Sequence, residues 1–278
     1  MIISVSRRCD IPRFRFDWFM ERLEAGFTDV INPFNRSQVR RVSLLPGDAE
    51  IFVFWTRDPR PILARAGELE ERGVRYYVMT TLTGYPAVLE PDMPAAERII
   101  AAMGELAERL GPERVIWRYD PIVLSACTDE TFHGRNFRAL AKALGASVRR
   151  VIVSLYDPYP AAERRLARLE KAGVLGMTPL YGAGGSLLPR TRELLADLAG
   201  TAREMGMEIQ SCAEGEELLS LGIQPGACID GELIRRLWGI ETGGRDKNQR
   251  PLCRCAAAAD IGDYGPCPAG CVYCYARR

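Results

Sequence analysis

Along the chain, short runs rich in β-branched and aromatic residues alternate with stretches whose apolar positions recur at helical spacing. The runs predict strands over residues 2–6, 29–32, 51–55, 75–80, 114–119, 151–155 and 208–211, with a short one near 228–230. Helices are predicted over 61–72, 95–110, 131–144, 161–172 and 191–205; in the last, Leu194, Leu195, Leu198 and Ala202 fall on one face. Several of these helices stop at a glycine, Gly73 and Gly111 among them. Repeating β and α units imply a parallel sheet covered by helices. The expected fold class is therefore α/β: a TIM-like (β/α)8 barrel, irregular because no full helix separates the second and third strands.

The pattern changes after residue 240. Residues 241–278 are rich in Gly, Cys, Arg and Asp and have no apolar periodicity. Such a segment cannot bury a core of its own, so metal coordination is the expected source of its order. The expected organisation is a barrel over 1–240 and a loop-rich, metal-binding C-terminal extension over 241–278, packed on the barrel rim.

Polar residues gather where the strands end, at Ser6-Arg7-Arg8, Asn32-Pro33-Phe34-Asn35, Trp55-Thr56-Arg57-Asp58-Pro59, Arg118-Tyr119-Asp120-Pro121, Tyr156-Asp157-Pro158 and Gln210-Ser211-Cys212-Ala213-Glu214. In a barrel these ends share the C-terminal rim, where active sites are built. Asp-Pro and Asn-Pro also start turns and cap helices, which is the alternative reading of each pair.

Charge decides little. Lys and Arg total 37 against 36 Asp and Glu, so the net charge of +1 neither calls for nor excludes a polyanionic partner. No apolar run approaches the roughly 20 residues of a membrane span, and the first residues lack a signal-peptide pattern, so a cytoplasmic location is expected. The single histidine, His133, lies in a polar helical stretch and reads as a solvated surface residue. One histidine also argues against His-rich zinc sites and a Ser–His–Asp triad.

Cysteine is the informative residue. Of nine, only Cys9 and Cys127 precede position 212, and these read as isolated packing residues. In a reducing compartment the other seven argue for metal rather than disulfides. Cys267, Cys271 and Cys274 form C-x3-C-x2-C, a spacing that suits a [4Fe–4S] cube with one iron left without a protein ligand. A structural zinc knuckle is the alternative. Cys212, Cys228, Cys253 and Cys255 suffice for a second centre, an auxiliary [4Fe–4S] cluster or, alternatively, tetrahedral zinc. Tyr181-Gly182-Ala183-Gly184-Gly185-Ser186 lacks the residues of a P-loop and reads as a flexible rim loop, and Asp246-Lys247-Asn248-Gln249-Arg250 reads as a solvated turn.

The segment Cys267-Pro268-Ala269-Gly270-Cys271-Val272-Tyr273-Cys274-Tyr275 resembles the signature of radical S-adenosylmethionine (SAM) proteins, and its end is similar to the matching stretch of spore photoproduct lyase and its relatives. Over essentially its whole length the chain resembles the uncharacterised family called domain of unknown function 1848. The residues that carry the likeness are Ser6-Arg7-Arg8-Cys9-Asp10-Ile11-Pro12, Phe54-Trp55-Thr56-Arg57-Asp58-Pro59, Trp117-Arg118-Tyr119-Asp120-Pro121 and Asp260-Ile261-Gly262-Asp263-Tyr264. That family is described as carrying a radical-SAM-like cysteine cluster at its C-terminus, with no established reaction. Ordinary radical SAM enzymes carry the three cysteines after their first strand. Here they stand at the end, and no Gly-Gly-Glu follows the second strand.

The resemblance implies an enzyme that cleaves SAM reductively at a [4Fe–4S] cluster and starts radical chemistry on an unknown substrate, nucleic acid included. It implies a low-potential electron donor such as flavodoxin or ferredoxin. Arg7, Arg8 and Arg57 are candidates for the SAM carboxylate or an anionic substrate, because guanidinium forks match carboxylates. Tyr119 and Asp120 are candidates for ribose or substrate, and Tyr273 for packing near the cluster. The competing reading is an iron–sulfur electron carrier or a zinc-stabilised binding module without SAM chemistry.

Overall fold

The computed structural model describes residues 1–32, 35–265 and 267–277. Pro33 and Phe34, in one of the strand-end segments named above, lie outside the described residues. In chain order the elements are β1 (Ile2–Val5), α1 (Ile11–Phe14), α2 (Phe16–Ala25), β2 (Phe27–Ile31), β3 (Val39–Ser43), β4 (Ile51–Thr56), α3 (Arg60–Ala64), α4 (Ala66–Glu71), β5 (Tyr76–Thr81) and α5 (Ala96–Leu110). Then follow β6 (Val115–Ile122), α6 (Glu130–Leu144), β7 (Arg150–Leu155), α7 (Pro160–Lys171), α8 (Pro189–Glu204), β8 (Glu208–Cys212), β9 (Gln224–Gly226), α9 (Gly231–Trp238) and β10 (Ala259–Asp260).

The fold is mixed α/β around an eight-stranded sheet ordered β10-β1-β4-β5-β6-β7-β8-β9, with every pairing parallel. Parallel sheets are covered on both faces, which is why β4, β5 and β7 read as unbroken apolar or buried runs. Phe52, Phe54, Val78, Trp117 and Val153 point to one face, where α2, α5, α6 and α8 supply Phe19, Met103, Phe137 and Leu195. Val53, Trp55, Met79, Ile116 and Ile152 point to the other. That second face is filled by Ile229, by Leu233 and Ile234 of α9, and by Cys253, Cys255 and Ala256 of the C-terminal segment.

Several expectations are corrected. Residues 29–32 do not join the main sheet; residues 29–31 lie in β2, which pairs antiparallel with β3 in a separate hairpin. This hairpin carries Asp29, Arg40 and Arg41, and the Arg41–Asp29 pair needs water around it, which an interior strand would deny. The short strand expected near 228–230 lies slightly earlier, as β9, and Asp230 accepts from the amides of Glu232 and Leu233 to cap α9. The helix expected over 61–72 is two short helices, α3 and α4, meeting at Arg65.

His133 is fully buried, not solvated. Its Nε2 is 3.1 Å from the carbonyl of Val123 and its Nδ1 is 2.8 Å from the Tyr119 hydroxyl. Cys127 is exposed rather than buried. Lys247 and Asn248 form an exposed turn as expected, but Asp246 at its start is buried beside Arg7, at 3.5 Å.

Candidate metal centre

The C-terminal segment is tied to the first strand. β10 lies parallel beside β1, pairing Ser4 with Asp260. Asp260 then accepts hydrogen bonds from the hydroxyls of Ser4 and Ser6 at 2.8 and 2.7 Å and from the amides of Arg7 and Gly262 at 2.8 and 3.0 Å. Arg7 and Arg8 flank the same carboxylate. Gly262 packs so closely on Ser6 that a Cβ there would stand 1.9 Å from its hydroxyl oxygen. This hub delivers the residues that follow to the C-terminal ends of the strands.

The loop from Cys267 to Cys274 sits there. Gly270 turns it with φ at +69°. Cys271 is buried, and Cys267 and Cys274 are half-buried. Val272 donates its amide to the Leu89 carbonyl at 2.9 Å, and Arg165 of α7 donates to the carbonyls of Val272, Cys274 and Arg277. Tyr273 faces inward against Tyr85 and hydrogen-bonds a buried ion pair. Arg57 lies 2.7 Å from Glu90 and donates to the Tyr273 hydroxyl at 2.5 Å, while that hydroxyl donates to Glu90. Thr83 also donates to Glu90, at 2.6 Å. Burial works against the charge on Arg57, but Glu90, Tyr273 and Cys271 together hold its pKa well above the ordinary value. Burial pushes the Cys271 thiol up to about 11, opposed by Arg57.

A second group of thiols lies on the sheet face opposite α2, α5, α6 and α8, the face that α9 covers. Cys212 ends β8, Cys228 precedes α9, and Cys253 and Cys255 come from the C-terminal segment. The sulfurs of Cys212 and Cys228 are 3.5 Å apart, and the amide of Ile229 donates to Cys255 at 3.3 Å. Hydrogen bonds from the thiols of Cys228 and Cys253 favour the thiolate at Cys255, drawing its pKa well down. Among the described residues no three His, Cys, Asp or Glu side chains group closely enough to hold one ion. The donors are all thiols, the ligand type shared by tetrahedral zinc and iron–sulfur clusters.

The predicted residues distribute unevenly. Arg7, Arg8, Arg57 and Tyr273 are all at the strand ends beside the cysteines. Asp120 is there too, held by Arg118 and by a 2.6 Å hydrogen bond from Ser154. Tyr119 is not: it points to the helix-covered face, fully buried against Trp117 and Phe137, with its hydroxyl engaged by His133 and Asn136. Alternation along β6 decides this, since neighbouring residues of a strand face opposite ways. Sequence reasoning assigned no role to Glu90, Arg165 or Asp260. Asp260 lies within a segment that carried the family resemblance, whereas Glu90 stands in an irregular stretch with no periodic signal.

A cavity of about 550 Å3 opens beside the loop, with Arg8, Cys9, Asp10, Arg15, Tyr264 and Cys267 among its walls. Arg8 lies over the Tyr264 ring at 5.0 Å.

The family model described as Domain of unknown function (DUF1848) matches residues 2–276. The chain belongs to that family. No curated protein matches it. Among solved structures, it is similar to a D-hydantoinase from Bacillus sp. AR9, at 9% identity and a TM-score of 0.28, over 60% of this chain and 34% of that one. A second D-hydantoinase matches at 10% identity and a TM-score of 0.32, over 63% and 37%. The chain therefore spans little more than a third of either relative's length.

Proposed function

We propose that this DUF1848 protein is a radical SAM enzyme whose SAM-binding [4Fe–4S] cluster is held by Cys267, Cys271 and Cys274. The observation that carries the reading is the placement of these three thiols on one loop, docked at the strand ends beside β1 and next to a cavity of SAM-compatible size. When bound and reduced, the cluster supplies one low-potential electron for the reductive cleavage of SAM. Arg57 lies against Cys271 and offsets thiolate charge. Arg165 ties down the loop carbonyls, and Arg8 on the cavity wall offers a guanidinium to the carboxylate of SAM. Arg7 and Asp120 stand further along the rim, where a substrate would lie.

On this reading the sheet is a (β/α)8-like barrel with its seam between β9 and β10, residues 1–240 are the barrel, and 241–278 are its metal-binding extension. Flavodoxin or ferredoxin would supply the electron in the cytoplasm. The enzyme's candidate substrates are small molecules, peptides and nucleic acid.

The test is anaerobic reconstitution followed by reduction and addition of SAM. The cluster's electron paramagnetic resonance spectrum should change, 5′-deoxyadenosine should form, and Cys271→Ala should abolish both. A spectrum indifferent to SAM in fully loaded, reduced wild-type protein would overturn the proposal.

A further inference from the structure

Four of the six cysteines outside the loop, Cys212, Cys228, Cys253 and Cys255, have surroundings that packing does not explain. Buried thiols behave as small apolar groups and need no cations beside them. Here three guanidiniums face them. Arg250 reaches within 3.8 Å of the Cys212 sulfur and donates to its carbonyl at 3.2 Å. Arg118 faces Cys228 and Cys212, and Arg7 faces Cys255. Each arginine is anchored from behind by a carboxylate: Asp120 for Arg118, Asp157 for Arg250, and Asp246 and Asp260 for Arg7. Anchoring of this kind fixes a guanidinium and leaves its remaining N–H groups to serve another acceptor. The Nε–H of Arg118 is buried and has no acceptor among the described residues. An unmet buried donor demands an explanation.

We propose that Cys212, Cys228, Cys253 and Cys255 form a second, tetrathiolate metal centre whose charge is compensated by Arg7, Arg118 and Arg250. Four thiolates around a zinc ion or a [4Fe–4S] core carry net negative charge, and a buried site must balance it. The three cations do so, and a metal-bound sulfur gives Arg118 its missing acceptor. The centre also explains the fold of the C-terminal segment. Cys253 and Cys255 would be bound to Cys212 and Cys228 of the sheet, pinning residues that have no periodic apolar pattern. Tetrahedral zinc–sulfur bonds of about 2.3 Å place thiolates about 3.8 Å apart, close to the Cys212–Cys228 separation of 3.5 Å, so zinc would take this pair as spaced and draw Cys253 and Cys255 in on binding. Thiolates on separate irons stand wider apart. The two metals therefore form separate arms of one test.

The inference does not rest on SAM chemistry at the loop, and its test removes that loop. In the full chain, Cys267, Cys271 and Cys274 are changed to Ser together. The protein is loaded anaerobically, with iron and sulfide in one arm and with zinc in the other. The proposal expects about four irons or about one zinc per chain to be retained after desalting. Retention of neither metal by a variant with wild-type circular dichroism would overturn it. Should that variant not fold, Cys253→Ser with Cys255→Ser in the otherwise native chain gives the complementary reading. It should lose the metal of the second centre and keep the iron of the loop, and unchanged total metal would sink the proposal. Charge compensation is read separately, from metal release to a chelator. Arg118→Met should release metal roughly tenfold faster, as expected for loss of a charge-assisted hydrogen bond, and Arg118→Lys should recover part of the difference. Equal release rates in all three proteins would remove Arg118 from the centre.

Discussion

Tyr273, inside the cysteine loop, donates its hydroxyl hydrogen to Glu90, a carboxylate buried 183 residues earlier in the chain. Arg57 completes the triangle, bonded to both. The loop is thus docked by protein contacts as well as by any metal it binds. Tyr273→Phe should loosen the docked loop by about 1–3 kcal/mol, the usual cost of leaving a buried acceptor short of a donor. Chelator release from the loop should accelerate accordingly. In a double-mutant cycle with Glu90→Gln, the two substitutions should be clearly non-additive. Additivity would mean that the contact carries no energy.

The hub at Asp260 makes a sharper steric prediction. Gly262 has no room for a side chain, because a Cβ would overlap the Ser6 hydroxyl. Gly262→Ala should force β10 away from β1 and cost about 1–3 kcal/mol, the range for overpacking a tight contact. Ser6→Ala should relieve part of that clash while losing a hydrogen bond to Asp260. Limited proteolysis should find the C-terminal segment cleaved faster in Gly262→Ala than in wild type. Equal cleavage would show that the segment is held elsewhere.

Much of this arrangement was legible in the sequence, and the failures have physical causes. Buried parallel strands such as β4 and β7 announce themselves as apolar runs, and α5, α6 and α8 as periodic stripes. The separation of seven cysteines into two groups followed from spacing. Helix α9 did not show itself, because eight residues starting at a glycine give too short a pattern. Residues 29–32 looked like a sheet strand because local β propensity says nothing about the partner. His133 was misjudged because its helix is polar on average, while its own position faces Tyr119 and Tyr85. Glu90 could not be found from sequence: its function depends on Arg57 and Tyr273, which only the fold brings to it.

On the proposed reading, the same triangle should tune the loop's cluster electrically. A reduced cluster carries one more negative charge than an oxidised one, so a cation near Cys271 favours reduction. Arg57→Met removes that cation and leaves the Glu90 carboxylate unbalanced, and both changes disfavour reduction. The midpoint potential should therefore fall. Glu90→Gln removes the anion and keeps Arg57, so the potential should rise. Redox titration followed by electron paramagnetic resonance reads both. Shifts of the same sign in the two variants would point to general loosening of the loop instead of an electrostatic effect.

His133 gives a prediction about pH that concerns no metal. Burial pushes its pKa from 6.5 down to about 4. Its hydrogen bonds explain why the neutral ring suffices: Nε2–H donates to the Val123 carbonyl and Nδ1 accepts from Tyr119. Above pH 6.5 the ring is neutral both folded and unfolded, and it has no effect on the pH dependence. Between pH 6.5 and 4 the unfolded chain binds a proton that the folded chain refuses, so stability falls as the pH is lowered. Across that window the loss should reach ~3 kcal/mol, and it should level off below pH 4. Asp10 and Glu214 act in the opposite direction. Burial raises both carboxyls, Glu214 to about 7, so each is protonated more readily in the folded chain and adds stability as the pH falls. The wild-type curve is therefore a partial cancellation, and the His133 contribution must be read as a difference. His133→Gln can still donate to Val123 and has no proton to gain. The gap in unfolding free energy between wild type and His133→Gln, measured by denaturant titration from pH 7 to pH 4, should change steadily in the variant's favour as the pH drops. A constant gap would show that His133 titrates normally and is not enclosed as the structure places it.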